Sequence, residues 1–162
     1  MKMNLVQAIN LALKQEMEKD PTVILLGEDV GKDGGVFRVT EGLWQQFGDS
    51  RVIDTPLAEV GIISVSIGLA IAGMKPIPEV QFDGFSMPMI DQLYNHAGRM
   101  RKRSQGRWHI PLVLRVPHGG GIRALEHHSE SLEAFFTHIP GIKVVTPSGP
   151  YNAKGLLISS IR

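Results

Sequence analysis

With 162 residues, of which 43% are hydrophobic and 20% charged, the chain has the composition of a single globular domain, so disordered and fibrous proteins are excluded. The 17 basic and 16 acidic residues nearly cancel, so no overall charge favours nucleic acid or a membrane surface as a partner. The absence of cysteine excludes disulfides, thiolate metal sites and a cysteine nucleophile, and it is compatible with the cytoplasmic location that we expect.

Helical and strand patterns alternate through the first half of the chain. The first helix is amphipathic and not a signal peptide, and Asn4 with Gln7 three residues later resembles a capping box. The last helix of this half has no charged residue, and its fifteen residues are too few for a membrane span, which needs about 20, so we expect it to be the most buried element. In order, the predicted elements are helix 5–18, strand 22–26, helix 40–47, strand 51–53 and helix 60–74.

The second half continues the alternation. Its predicted elements are strand 77–82, a helix with Ser86 as N-cap that reaches toward Met100, strand 111–116, helix 132–138, strand 141–145 and a final helix from Pro150. The whole pattern predicts an α/β fold with an open, mainly parallel sheet and helices on both faces. In such sheets, ligands bind beyond the carboxyl ends of the strands, an edge that we call the rim.

Four segments follow strand ends and are therefore expected at the rim: loop 27–35, the turn containing Glu59, residues 81–85, and loop 117–128. Glu59 begins the uncharged helix, so it is either a residue satisfied by the helix dipole and backbone N–H groups or a site residue held out of water. Phe85 and its neighbour Phe82 offer flat surfaces to a planar ring, although core packing is the simpler explanation for Phe85.

Two rim segments resemble ligand-binding loops only superficially. The glycines 119–121 lack the spacing of a phosphate-binding loop, which favours a loop that needs positive φ angles. The acids Glu28, Asp29 and Asp33 do not match the spacing of a calcium loop, which favours a solvated acidic turn.

Histidines and basic residues supply the remaining candidates. His127 and His128 are adjacent and lack the spacing of zinc ligands, so a single rim histidine is better suited to proton transfer or to donating a hydrogen bond. The basic residues of segment 99–107 could attract nucleic acid, although a helix end favours cations in any case, and we assign neither nucleic acid nor a membrane as partner.

Seven segments in collinear order resemble one enzyme family, the β subunit of the thiamine-diphosphate-dependent 2-oxo acid dehydrogenases. This is the E1β component of the pyruvate and branched-chain 2-oxo acid dehydrogenase complexes. The resemblance implies that residues 1–162 are the family's pyrimidine-binding, transketolase-like domain and that the C-terminal domain of the family is absent from this chain. The segments are LLGEDVG, GGVFRVTEGL, DTPLAEVGI, EVQFDGF, HHSES, PGIKVVTP and AKGLL.

This resemblance implies a role for five residues. Glu59 matches the glutamate that hydrogen-bonds N1′ of the cofactor's aminopyrimidine and so favours the imino tautomer that deprotonates the thiazolium carbon. Leu57 and Phe85 match positions that pack on the pyrimidine ring, and Gln81 lies near the same ring. His128 matches the rim histidine that assists acyl transfer to the lipoyl group.

The resemblance also implies cofactors and partners. Thiamine diphosphate is shared with an E1 α subunit, which holds magnesium and the diphosphate, so no metal ligand is assigned to this chain. The partners are the α subunit in an α2β2 heterotetramer, the E2 lipoyl acyltransferase and a 2-oxo acid substrate. An acetoin dehydrogenase-type β subunit and a non-catalytic assembly module of the same fold are the alternatives.

Overall fold

The computed structural model describes residues 2–162, in which three parallel strands form a sheet of order β2-β1-β3. The first half contains α1 (Leu5–Lys19), β1 (Val23–Gly27), α2 (Leu43–Phe47), β2 (Val52–Asp54), α3 (Glu59–Ile71) and β3 (Lys75–Glu79). The second half contains a 3-10 helix (Asp83–Met89), α4 (Ile90–Gln92), a π-helical turn (Leu93–Ala97), α5 (Met100–Arg103), a 3-10 turn (Gly120–Ile122), α6 (Glu133–Thr137) and α7 (Pro150–Ile161). The predicted open parallel sheet with flanking helices is confirmed.

The central strand β1 is the most buried element, because it has a neighbour on each side and helices above and below. All five of its residues are buried, and Leu25 pairs with Val52 of β2 and with Ile77 of β3. The capping box before α1 is also present: the Asn4 side chain accepts from the Gln7 backbone N–H at 2.9 Å, and the Gln7 side chain accepts from the Asn4 backbone N–H at 3.1 Å.

Two buried clusters cover the sheet. The first joins alternate residues of β1 to α1 and α7, which pack against each other, and the second joins α3 to the 3-10 helix and the π-helical turn. Alternate residues of a strand point to opposite faces, so helices cover both faces of this sheet. Phe85 of the rim packs against the second cluster.

The expectation that the uncharged helix is the most buried element is wrong. Ile63 and Ile67 of α3 are buried, whereas Val60, Val65 and Ile71 on its other side are exposed. Both sides of α3 are apolar, so the residue pattern does not distinguish the side that packs on β3 from the side that this chain leaves uncovered.

The two predicted strands of the second half do not form regular strands. Segment 111–116 runs beside β3, where Val113 and Arg115 donate to the carbonyls of Pro76 and Pro78, but only one isolated bridge joins the two segments. Proline has no N–H, so Pro76 and Pro78 cannot return these hydrogen bonds and the ladder stays incomplete. Segment 141–145 is also not a strand, since no neighbouring strand within residues 2–162 pairs with its backbone.

The helix predicted from Ser86 begins earlier and is irregular. Its N-cap is Phe82, and Ser86 lies inside the 3-10 helix with its hydroxyl directed to Asp83 at 3.4 Å. Pro88 lacks the N–H of a regular helical ladder, which accounts for the 3-10 geometry around it. Within residues 2–162, every helix falls short of the length and apolarity needed to cross a membrane.

Candidate functional site at the rim of the sheet

Hydrogen bonds bring the loops after all three strands together at the rim. The Asp54 carboxylate at the end of β2 accepts from the backbone N–H groups of Gly31 and Lys32 at 2.6 and 3.3 Å, which holds loop 27–35 beside β2. The Gln81 side chain, two residues after β3, donates to the Asp29 carboxylate at 2.9 Å. The loop after β1 is therefore tied to the segments that follow both neighbouring strands.

Glu59 is the first residue of α3, as its position in the sequence predicts. Its side chain is only partly buried, and no hydrogen bond within residues 2–162 engages its carboxylate. The turn before it is also exposed, with Leu57 at 79% exposure. Within residues 2–162 the start of α3 is therefore not fully covered, and a site residue held out of water stays a prediction for Glu59.

Glu28 is a buried carboxylate of the rim, with 7% of the residue exposed. Burial raises the pKa of the Glu28 carboxyl, the charges of Glu59 and Asp29 raise it further, and a hydrogen bond from the Ala58 backbone acts in the opposite direction. A solvated acidic turn is thus a wrong description of Glu28, although it fits Asp29. An added Cβ at Gly27 would lie 2.6 Å from the Glu79 carbonyl oxygen, so only glycine allows the chain to pass this close to β3 before Glu28.

Aromatic rings form one wall of the rim. The Phe82 ring packs on the His128 ring, with 4.4 Å between centroids, and Phe85 meets the same histidine edge-on at 5.2 Å. Phe37 meets Phe82 edge-on at 5.5 Å. These aromatic residues thus bring loop 27–39, the segment after β3 and loop 117–131 into contact.

A cavity of about 420 Å³ lies against this wall. Phe37 is a lining residue that sequence reasoning missed, and its place in the GGVFRVTEGL segment is the only sequence signal that pointed to it. The lining residues are Phe37, Phe82, Pro117, His118, Gly119, Gly121, Ile122 and His128. Gly119 has a φ of 98°, which agrees with the prediction of a loop that needs positive φ angles.

His128 is held in one orientation. Its Nδ1 lies 2.9 Å from the Glu126 carbonyl oxygen, which can only accept, so Nδ1 carries a proton and Nε2 is the nitrogen left for other partners. Within residues 2–162, no group of three or more His, Asp or Glu side chains is placed to hold a metal ion.

The basic residues of segment 99–107 lie apart from the rim. All of them except Arg107 line a different, wider depression of about 1570 Å³, which shares no lining residue with the cavity beside His128. Two of the side chains are used within the fold: Arg99 stacks over the Tyr94 ring at 4.2 Å, and Arg103 donates to the Asn95 carbonyl at 2.7 Å.

Comparison with known proteins shows which family the chain belongs to. The model of the transketolase pyrimidine-binding domain family matches residues 1–162. The chain is 59% identical over 157 residues to the pyruvate dehydrogenase E1 component subunit beta of Acholeplasma laidlawii, covering 97% of this chain and 48% of that protein. It is 52% identical over 160 residues to the 2-oxoisovalerate dehydrogenase subunit beta of Bacillus subtilis (strain 168), covering 99% of this chain and 49% of that protein.

A solved structure shares the fold. It is described as a split gene transketolase in an inactive beta4 tetramer, with a TM-score of 0.76, 16% identity, and coverage of 99% of this chain and 48% of that one. The resemblance to E1 β subunits, drawn above from seven segments, is confirmed by the relatives. The chain spans about half the length of the curated relatives it matches.

Proposed function

Since this chain belongs to the transketolase pyrimidine-binding domain family, we propose that it is the pyrimidine-binding part of an E1 β subunit of a thiamine-diphosphate-dependent 2-oxo acid dehydrogenase. One observation carries the proposal: Glu59, with its carboxylate unengaged at the start of α3, lies near enough to the buried Glu28 for their charges to interact. A second, buried acid next to Glu59 does not help it to stabilise its own helix, because the two negative charges repel each other.

The residues of the rim fit an aminopyrimidine ring. Glu59 has a carboxylate available for a ring nitrogen, Phe85 offers a partly buried flat surface, and the exposed Leu57 side chain is available to pack on a ring. Gln81, held by Asp29, supplies a further polar group at the same edge. Thiamine diphosphate, when bound, supplies an acidic thiazolium carbon that acts as nucleophile and electron sink.

Glu59 acts in this proposal by sharing a proton with the pyrimidine N1′. Such a bond is strong only where water is excluded, and this chain leaves Glu59 partly exposed. We therefore infer that an α subunit covers the turn at residues 55–58 and completes the site, and that it holds magnesium and the diphosphate, as the resemblance implies. The inactive state of the beta4 tetramer in the solved neighbour suits this inference, and we expect the present chain to be inactive alone.

The proposed reaction is oxidative decarboxylation with acyl transfer to the lipoyl group of an E2 acyltransferase. The bond between C1 and C2 of the 2-oxo acid breaks to release CO2, and a bond forms between the carbonyl carbon and one lipoyl sulfur. The lipoyl disulfide takes up the two electrons, and its second sulfur takes a proton. The relatives are named for pyruvate and for 2-oxoisovalerate, so the substrate is proposed as a 2-oxo acid of either kind.

We assign the delivery of that proton to His128. Its ring lines the cavity beside Phe82, and the bond between Nδ1 and the Glu126 carbonyl leaves Nε2 for the sulfur. An imidazole can give up a proton at one ring nitrogen and regain it there, which suits a group that acts in each turnover.

The test is exchange of the C2 proton of thiamine diphosphate, followed by NMR in the complex of the α subunit with the polypeptide that carries this chain. Glu59→Gln removes the shared proton, so we expect exchange to slow by about 10²- to 10⁴-fold. Glu41→Gln, a change at an exposed acid outside the rim, is the matched control and should exchange at the wild-type rate. Wild-type exchange in Glu59→Gln would overturn the assignment, and a wild-type complex without cofactor-dependent activity would instead indicate a non-catalytic assembly module.

A further inference from the structure

Asp83 is a buried carboxylate that the proposed chemistry leaves without a role. Only 4% of the residue is exposed, and it lies at the start of the 3-10 helix, between Phe82 and the Gly84-Phe85 pair. Carboxylates are seldom buried without donors, and here both oxygens have one: the Ser86 hydroxyl at 3.4 Å and the Leu132 backbone N–H at 2.6 Å.

The bond to Leu132 reaches across the rim to one end of loop 117–131. The backbone of Asp83 secures the other end, since its N–H donates to the Pro117 carbonyl at 3.2 Å. Between these two points, the N–H of Gly119 donates to the Glu130 carbonyl at 2.9 Å and closes the base of the loop. One residue therefore binds both ends of the loop that carries His128.

The middle of the loop rests on the residue after Asp83. An added Cβ at Gly84 would overlap the Cα and carbonyl oxygen of His127, so the loop backbone lies directly on this glycine. His127 has a φ of 69°, and its neighbour His128 packs on Phe82 and Phe85. The loop has few other fixed points, because residues 120–127 are exposed.

We propose that Asp83 is a positioning residue: its carboxylate and backbone N–H hold loop 117–131 against Phe82, Gly84 and Phe85 and so place His128 for acyl transfer. The inference rests on the proposed function for its effect on the reaction, but its effect on the loop does not depend on that function. Asp83 itself touches neither the reacting atoms nor the cofactor in this proposal.

Three substitutions test the positioning role of Asp83. Asp83→Ala removes the acceptor for Leu132, whereas Asp83→Asn keeps one carbonyl oxygen for Leu132 and an amide that can donate to Ser86. Gly84→Ala leaves Asp83 intact and displaces the loop by contact with His127. Asp49→Ala is the control, since Asp49 is an exposed acid before β2, at the opposite end of the sheet from the rim.

Two activities of the complex with the α subunit are compared: acylation of a free lipoyl domain, and decarboxylation measured with an artificial electron acceptor. Asp83→Ala and Gly84→Ala should lower kcat for lipoyl acylation about tenfold, the effect of losing a hydrogen bond to a charged group, and leave decarboxylation within about twofold of wild type. Asp83→Asn should restore most of the acylation, and Asp49→Ala should change neither activity. His128→Ala should likewise lower lipoyl acylation more than decarboxylation.

Hydrogen exchange of the peptide amides in residues 117–132 supplies a readout that does not need the reaction. Asp83→Ala should speed exchange in this segment and leave exchange in β1 unchanged. Equal losses of both activities, or unchanged acylation with unchanged exchange, would overturn the positioning role. If the wild-type complex shows neither activity, the proposed function fails, and unchanged loop exchange in Asp83→Ala would then overturn the positioning role independently. If Asp83→Ala does not fold, Gly84→Ala and Asp83→Asn decide the question.

Discussion

Removal of the Arg115 guanidinium tests the role of a buried ion pair between the end of β3 and segment 111–116. Arg115 lies 2.5 Å from Glu79, and the two side chains are 13% and 4% exposed. Removal of one member of a buried pair costs about 3–5 kcal/mol, because the remaining charge is left without a partner. Since Arg115 keeps some contact with solvent, we expect the lower value, about 3 kcal/mol, for Arg115→Met.

Urea unfolding followed by circular dichroism measures this loss. With a slope of about 1–3 kcal/mol/M, a change of about 3 kcal/mol lowers the midpoint by about 1–3 M. Arg38→Met is the matched control: Arg38 and Glu41 pair at 2.7 Å on the surface, with side chains 56% and 62% exposed, so water screens the pair and the midpoint should stay close to that of wild type.

A double variant separates the ion pair from other effects of the substitution. Glu79→Leu with Arg115→Met removes both charges, so most of the lost stability should return. Equal midpoints for Arg115→Met and Arg38→Met would refute the argument that burial makes this pair matter. Failure of the double variant to recover would show that Arg115 stabilises the fold by packing.

Two predictions concern pH. Burial, and then the charges of Glu59 and Asp29, raise the pKa of Glu28 above its usual 4.5. The folded chain therefore binds this proton more tightly than the unfolded chain does. The free energy of unfolding consequently falls as pH rises from 4.5 through the raised value. Glu28→Gln should therefore stabilise the chain at pH 7 and not at pH 4 in thermal unfolding, and an unaltered pH dependence would contradict this. Hydrogen bonds from Thr22 and then from Lys75 lower the pKa of Asp20 from 3.8 to about 2, so its contribution is present above pH 3.8 and is lost as pH falls toward 2. Asp20→Asn should remove that acid-dependent loss. At pH 7 it should cost about 1 kcal/mol of stability, because water partly screens the pair of Asp20 and Lys75. A wild-type acid profile in urea titrations of this variant at pH 2–5 would argue against the lowered pKa of Asp20.

The elements with a complete local signal could be predicted from the sequence. The capping box sets the start of α1, and the continuous apolar run of β1 indicates burial on both faces. Glycine and proline indicate the loops, but they do not indicate which strands can pair with each other. Segment 111–116 reads as a strand, yet its pairing depends on Pro76 and Pro78, which lie in another segment.

In the candidate site, too, the sequence predicts the positions of residues in the fold but not their tertiary contacts. The position of Glu59 at a helix start and of His128 in a rim loop could be predicted, because both follow from the order of strands and loops. Their degree of burial could not, since the exposure of Glu59 depends on what covers residues 55–58. Glu28 and Asp83 were missed as buried acids for this reason: neither has an unusual sequence neighbourhood, and their donors, Ala58 and Leu132, lie 30 and 49 residues away in the chain.

The sequence by itself determined the fold class, the order of the elements as far as β3 and the segments that meet at the rim, because these follow from local periodicity and from the geometry of parallel sheets. The tertiary structure alone decided which side of α3 is covered, which carboxylate is buried beside Glu59, and which residue holds the His128 loop. Those outcomes depend on contacts between residues far apart in the chain, and a buried carboxylate is stable only where the fold brings hydrogen-bond donors to it.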